Sequence, residues 1–173
     1  MPKFPRRARG FTLVEMAVTA TIASVLAAAA IPSFSHTMGR QRLTLTTNEL
    51  NATFSLARSE ALARGERVAV APRVAGRWDS GWQVFVDRND DGTLDATDIV
   101  LREFAPTAEG IGIEAIGGGF PQVVSYTSTG LARRAGSDGL ALGRFVVRYQ
   151  GADPRAICFS SARTRINPGA TCS

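Results

Sequence analysis

Three sets of residues carry the chemistry available to this chain. The first lies in Asp87-Arg88-Asn89-Asp90-Asp91-Gly92-Thr93-Leu94-Asp95-Ala96-Thr97-Asp98, where Asp87, Asn89, Asp91, Asp95 and Asp98 place oxygen ligands at loop positions 1, 3, 5, 9 and 12, with glycine at 6. That spacing approaches an EF-hand calcium loop, except that position 12 is Asp98 rather than the longer Glu that grips the ion through both oxygens. The flanks read as strands, so a solvated hairpin loop is the competing reading, and Ca²⁺ is the only cofactor the sequence brings into view. The second set is Arg163 and Arg165 in Ser161-Ala162-Arg163-Thr164-Arg165. On a strand, residues i and i+2 face one way, so two guanidinium forks meet one surface, a geometry suited to two phosphates. The third is Glu15, the single charge between Phe11 and Ile31. A carboxylate in such a span costs roughly 2.5–3.5 kcal/mol unless it is partnered, so Glu15 implies a partner. Catalysis finds no support in the residue pattern: the one histidine, His36, has no nucleophile or metal-binding cluster to serve.

Charge separates along the chain. The formal net charge of +5 comes largely from Lys3, Arg6, Arg7 and Arg9, and without residues 1–10 it falls to +1. Global basicity therefore says little about partners. Residues 79–114 carry −7, while residues 133–173 carry +5. In the latter stretch Arg133, Arg134, Arg144, Arg148 and Arg155 extend the Arg163/Arg165 pair into a possible phosphate-binding surface, sequence-independent and weakened by salt. An edge strand kept soluble by its charge is the alternative. Cys158 and Cys172 have no histidine near them, which favours a disulfide in an oxidising compartment over a metal site.

These groups need elements to position them. Phe11 to Ile31 is 21 residues of mostly Val, Leu, Ile, Ala and Thr, enough helix to cross a bilayer. An ordinary secretory signal would leave Glu15 unexplained, and no small-x-small cleavage site stands out beyond the run, Ala28-Ala29-Ala30 being the nearest. Pro32 marks a bend or break, and His36 reads as an interfacial residue just past the span. Leu43, Leu50, Phe54, Ala57 and Ala61 recur at helical spacing, predicting a continued amphipathic helix whose stripe packs on a sheet and whose C-cap is Gly65. Arg40, Arg42, Arg58 and Arg64 then fall on the wetter faces as solvated charges. Beyond Gly65, about seven antiparallel strands are expected: Arg67 to Val74, Trp82 to Val86, Ile99 to Phe104, Ile111 to Ile116, Val123 to Thr127, Arg144 to Tyr149 and Ala156 to Ser160. Trp82, Val84 and Val86 alternate onto one buried face, as do Phe145, Val147 and Tyr149.

Gly10-Phe11-Thr12-Leu13-Val14-Glu15, after a basic leader and before an apolar helix, resembles the processing site of type IV pilins and type II secretion pseudopilins. The resemblance implies cleavage after Gly10 by a prepilin peptidase and methylation of Phe11. It also implies assembly through Glu15, which would sit near the N-terminal amine of a neighbouring pilin subunit. The strand Gly81-Trp82-Gln83-Val84-Phe85-Val86, the Asp/Asn/Gly turn and the C-terminal cysteine pair are similar to the GspH/FimT family of minor pilins and pseudopilins. The implied fold is α+β and type IV pilin-like: leader 1–10, transmembrane segment 11–31, exposed half-helix 32–65, and a β-rich domain 66–173. Such a protein is expected in the bacterial inner membrane with a periplasmic C-terminal domain, and in a filament after assembly. Arg163 and Arg165 partly match the Gly-Arg-x-Arg motif of FimT-like minor pilins, with Ala162 in place of glycine. That match implies double-stranded DNA as a partner during natural transformation. The second function implied by the same family is a minor pseudopilin of a type II secretion system, with a role confined to protein contacts.

Overall fold

A computed structural model describes residues 10–172 apart from 118, 119, 121, 137, 138, 161 and 162, and gives the backbone alone at 28–36. Residues 1–9, Ser161, Ala162 and the side chain of His36 therefore lie outside the described residues. The chain divides into two compact units at Thr37/Met38, and one helix, α1 (Leu13–Arg64), contributes to both.

In the first unit, Thr12 begins the helix: its hydroxyl accepts the Glu15 backbone N–H at 3.2 Å, and its carbonyl accepts the Met16 N–H at 3.1 Å. A threonine with glutamate three residues on is a capping-box pair, and a carboxylate in the first turn faces the positive end of the helix dipole. Leu13, Val14, Met16, Ile22, Val25 and Leu26 are all more than half exposed, on every side of the helix. Among the described residues no helix is long and apolar enough to cross a membrane; the described side chains of the expected span stop at Ala27. Of the bend or break anticipated at Pro32, the break is absent: helical backbone continues through that position.

The second unit packs the last half of α1 against two antiparallel sheets. One has the strand order β3-β2-β1-β5-β6, formed by β1 (Val68–Val74), β2 (Arg77–Val86), β3 (Ile99–Glu103), β5 (Val124–Tyr126) and β6 (Ala132–Arg133). The other has the order β4-β7-β8-β9, from β4 (Ile111–Ile116), β7 (Arg144–Tyr149), β8 (Arg155–Ser160) and β9 (Arg163–Pro168). The predicted helical stripe Leu43, Leu50, Phe54, Ala57 and Ala61 is buried throughout. Gly65 closes the helix with φ 69° and an N–H to Ala61 O of 3.0 Å, a left-handed cap that glycine adopts without Cβ strain. Two strands escaped the sequence pattern. Neither β6, two residues long, nor β9, whose one large apolar residue is Ile166, shows the alternation that marks a half-buried strand.

Phe54 is the centre of the packing. Its ring lies 4.8 Å from Phe159, 5.0 Å from Phe145 and 6.3 Å from Trp78, centroid to centroid, so helix and both sheets meet on one side chain. The two tryptophans are fully buried with their N–H groups satisfied: Trp78 donates to Phe120 O at 3.0 Å, and Trp82 to Thr53 Oγ1 on the helix at 3.1 Å. Trp82, Val84 and Val86 join this core from the first sheet. A smaller cluster joins Leu43 to Ile111, Val147 and Tyr149. Not all the helix arginines are merely solvated, as their spacing suggested: half-buried Arg58 donates its Nε to Gly130 O at 3.0 Å.

Buried Gly39 lets the Tyr149 ring lie against the helix backbone, where a Cβ would fall 2.0 Å from the ring. Alanine is worth about 1 kcal/mol over glycine inside a helix. Overpacking here outweighs that gain, so Gly39→Ala is expected to destabilise the protein by about 1–3 kcal/mol in urea melts; a stabilised variant would show that the ring moves aside freely.

Candidate functional site

The arginines predicted to act together are sorted by sheet register. In the second sheet Arg144 pairs with Cys158 and Cys158 with Arg165, so these three side chains form one row on one face. Arg163, opposite Ser160, lies on the same face two residues along β9. The face is the one turned away from the core, since the alternate positions Phe145, Ile157 and Phe159 are buried in it. Arg163 and Arg165 are exposed, and among the described residues neither forms an ion pair. Arg148 shares the face but holds Glu114 at 3.1 Å.

The remaining candidates lie elsewhere. Arg155 pairs with Val147 and so points to the core side of the sheet, where it lines a cleft of about 450 Å³ with Arg40. Arg133 pairs with Ser125, on the face opposite Tyr126 and Ala132 of the first sheet. The chain beyond Arg134 runs to the acidic loop, where the Gly136 N–H reaches Asp90 Oδ1 at 3.3 Å. Sequence proximity in a basic tail thus overstated the patch.

β9 is an edge strand, and the Cys158–Cys172 disulfide ties the chain after it back to β8, with Cα atoms 5.8 Å apart. Two clefts flank Arg163. One, of about 400 Å³, is lined by Ser160, Arg165, Asn167 and both cysteines. The other, of about 310 Å³, is lined by Arg58, Ser59, Leu62 and Tyr126. Burial pushes the Tyr126 phenol well above its ordinary pKa, against the pull of the Arg58 guanidinium, so the hydroxyl stays neutral beside two cations. Arg58, brought to this cleft by the helix, was not foreseen as a site residue; only the return of the chain at Gly130 reveals it.

The acidic loop follows β2 and is organised by its own side chains. The Gly92 N–H (φ 74°) donates to Asp87 Oδ2 at 3.0 Å, and the Arg88 and Asp95 amides donate to the two oxygens of Asp98 at 3.1 Å each. Asn89 Nδ2 stands between Asp91 and Asp95, at 2.9 and 3.0 Å from their carboxylates. Desolvation raises the pKa of Asp87, opposed by the Gly92 amide, whereas the Thr97 hydroxyl and amide lower that of exposed Asp95. As the side chains stand, no group of three or more His, Cys, Asp or Glu is gathered for a metal among the described residues.

Comparison with known proteins fits this architecture. Residues 46–163 match the profile of the family described as "Type II transport protein GspH". The chain belongs to the GspH family. Its residues 5–31 also match the prokaryotic N-terminal methylation motif, which takes in Gly10, Phe11 and Glu15. A fimbrial protein of Pseudomonas aeruginosa is 30% identical over 99 residues, a match spanning 50% of this chain and 64% of that relative's length. Among solved structures, the type IV minor pilin FimU of Pseudomonas aeruginosa superposes with a TM-score of 0.56 at 20% identity, covering 76% of this chain and 90% of that one. A second crystal form of FimU gives 0.50, over 71% and 89%. The GspH-family fold, a helix packed on antiparallel sheets as in type IV pilins, is therefore the fold of this chain. The family match ends at Arg163, so Arg165 and Cys172 lie beyond it.

A disulfide closing a loop of this length is worth about 3 kcal/mol, mostly through the unfolded chain. The Cys158→Ser/Cys172→Ser variant is expected to lose about that much in urea denaturation, with an m-value no smaller than that of wild type because the unfolded chain is released; a loss under about 1 kcal/mol would mean the bond holds β9 locally and contributes little to the whole.

Proposed function

We propose that this chain is a minor subunit of a type IV pilus and that the outer face of β9 binds double-stranded DNA, without regard to sequence, for uptake. In this reading a prepilin peptidase cuts after Gly10, Phe11 becomes the N-terminus, and Phe11–Ile31 holds the subunit in the inner membrane before assembly. Glu15 then pairs with the terminal amine of a neighbouring subunit. The methylation-motif match and the exposed apolar helix surface around Glu15 support the anchor. The observation carrying the DNA reading is the cationic face made by Arg144, Arg163 and Arg165 in register, without carboxylate partners among the described residues. Guanidinium forks suit phosphate oxygens, and nothing on this face reads base edges. Arg133, Arg134 and Arg155 are not needed for it.

The family description favours a second reading, a minor pseudopilin of a type II secretion system, with the same anchor and a surface that contacts other subunits. Full-length protein in detergent, mixed with linear duplex DNA in a mobility-shift assay, separates the two. Binding that weakens steeply with salt, falls at least tenfold in Arg163→Ala/Arg165→Ala and survives in Arg155→Ala is expected of the DNA-binding pilin. No shift at low salt, or equal binding by the double variant, would leave the pseudopilin reading. Independently, Glu15→Ala is expected to remove the subunit from sheared filaments, scored by immunoblot, while membrane levels hold. Recovery equal to wild type would point to an anchored domain that never polymerises.

A further inference from the structure

The acidic loop holds a feature its hairpin role does not explain. Asp87 is only 2% exposed, and while its Oδ2 takes the Gly92 N–H, its buried Oδ1 has no well-formed hydrogen bond, the Asp90 amide being the one donor that approaches the carboxylate besides Gly92. A buried carboxylate oxygen with no donor is costly, and such groups are ordinarily paired or bound to a metal. The Gly92 bond turns this carboxylate inward, towards the loop that carries Asn89, Asp91, Asp95 and Asp98.

The local cations are already committed. Arg67 pairs with Asp90 at 2.9 Å and Arg88 with Glu66 at 3.8 Å, leaving Asp87, Asp91, Asp95 and Asp98 without an ion pair among the described residues. The Asp90 carboxylate, at an even position, is held by Arg67 and the Gly136 N–H, and only its backbone amide approaches Asp87. The place a cation would fill is marked by the Asn89 amide, whose NH₂ bridges Asp91 and Asp95. Turning that amide about its last torsion gives up the long 3.4 Å contact in which Asn89 Oδ1 accepts the Asp91 N–H and offers Oδ1 in the place of the NH₂.

The loop is also anchored. Leu94 packs against Ala69, Ala71 and Phe85 on the outer face of the first sheet. At Gly92 a Cβ would fall 2.5 Å from Ala135 Cβ and 3.0 Å from Val123, so the turn is seated on the protein rather than waving in solvent.

We propose that Asp87–Asp98 is a calcium site, with ligands from the side chains of Asp87, Asn89, Asp91, Asp95 and Asp98 and the backbone carbonyl of Thr93. Hard oxygen donors, one of them a neutral amide, suit Ca²⁺, and a flexible set of six or more suits it better than Mg²⁺, which demands a tight octahedron. The short Asp98, both of whose oxygens already accept backbone N–H groups, places the affinity at the weak end, about 10⁻⁴–10⁻³ M.

The test uses full-length protein in detergent, stripped with chelator and dialysed. CaCl₂ at 5 mM is expected to raise the melting temperature by about 4 °C, with MgCl₂ giving less than half of that and NaCl of matched ionic strength nothing. Calorimetric titration with CaCl₂ should return one site. In Asp91→Asn/Asp95→Asn, which leaves buried Asp87 in place, the Ca²⁺ response should vanish, whereas Asp90→Asn should keep it. No rise with Ca²⁺, or a rise of equal size in the double variant or with NaCl, would overturn the proposal.

Discussion

The globular unit depends on one contact system: the Phe54 side of α1 held against two sheets at once. Neither sheet closes a core alone. The first offers Val68, Val70, Trp82, Val84 and Val124; the second offers Phe145, Ile157 and Phe159; and the residues between them come from the helix. At roughly 25 cal/mol per Å² of apolar surface removed from water, burying a side chain such as Phe54 contributes about 1.5–3 kcal/mol. Its removal would cost more, because three aromatic neighbours would face the void. The polar contacts at this seam, Trp82 to Thr53 and Arg58 to Gly130, add direction rather than bulk. They fix the rotation of the helix against the strands, which decides that Arg58 reaches the cleft beside Arg163.

The parts that were legible in the sequence are those governed by burial. Leu43, Leu50, Phe54, Ala57 and Ala61 announce their face because a helix that packs on one side must repeat its apolar residues at 3.6, and β4 and β7 begin and end where their apolar runs predicted, although Val146 on β7 is buried along with its neighbours Phe145 and Val147. β9 stayed hidden for the opposite reason. Arg163-Thr164-Arg165-Ile166-Asn167-Pro168 buries little, and the strand is held by its ladder with β8 and by the Cys158–Cys172 bond rather than by a hydrophobic face. Pro168, at its end, is tolerable there because edge strands need not donate on both sides. The site residues that pattern could not place are those whose role is set by register. Arg144 joins Arg165 only through Cys158, and Arg155 leaves the group only because it falls opposite Val147. Cross-strand partners cannot be read from a chain until the strands are aligned, and a slip of one residue would exchange the faces of all these arginines.

The two charged regions of the unit solve their electrostatics differently. Arg144 on β7 and Arg165 on β9 stand two strand spacings apart, about 10 Å, and Arg163 and Arg165 are exposed, so like charges repel weakly and water screens them. Among the described residues Arg163 and Arg165 form no ion pair, whereas Arg148 holds Glu114, so it is the β9 pair that stays available to an anionic ligand. The loop at Asp87–Asp98 has no such freedom, because Asp87 is buried and its neighbours are drawn inward by backbone amides. The amide dipoles at Gly92, Arg88 and Asp95 and the Asn89 side chain supply partial positive charge, enough to hold the loop but not to satisfy every oxygen.

This difference bears on what each region contributes to the fold. Exposed Arg163 and Arg165 cost the protein little when unliganded, so they are free to vary with function and their loss should leave the core intact; Arg144, half-buried with its Nε enclosed, lacks that freedom. The acidic loop is coupled to the core through Leu94 and Gly92, and it runs directly from β2, whose Trp82 binds the helix. A ligand that neutralised the loop would stabilise the strand that carries the central tryptophan. The basic face therefore bears on what the subunit binds, and the acidic loop on how firmly the domain stands.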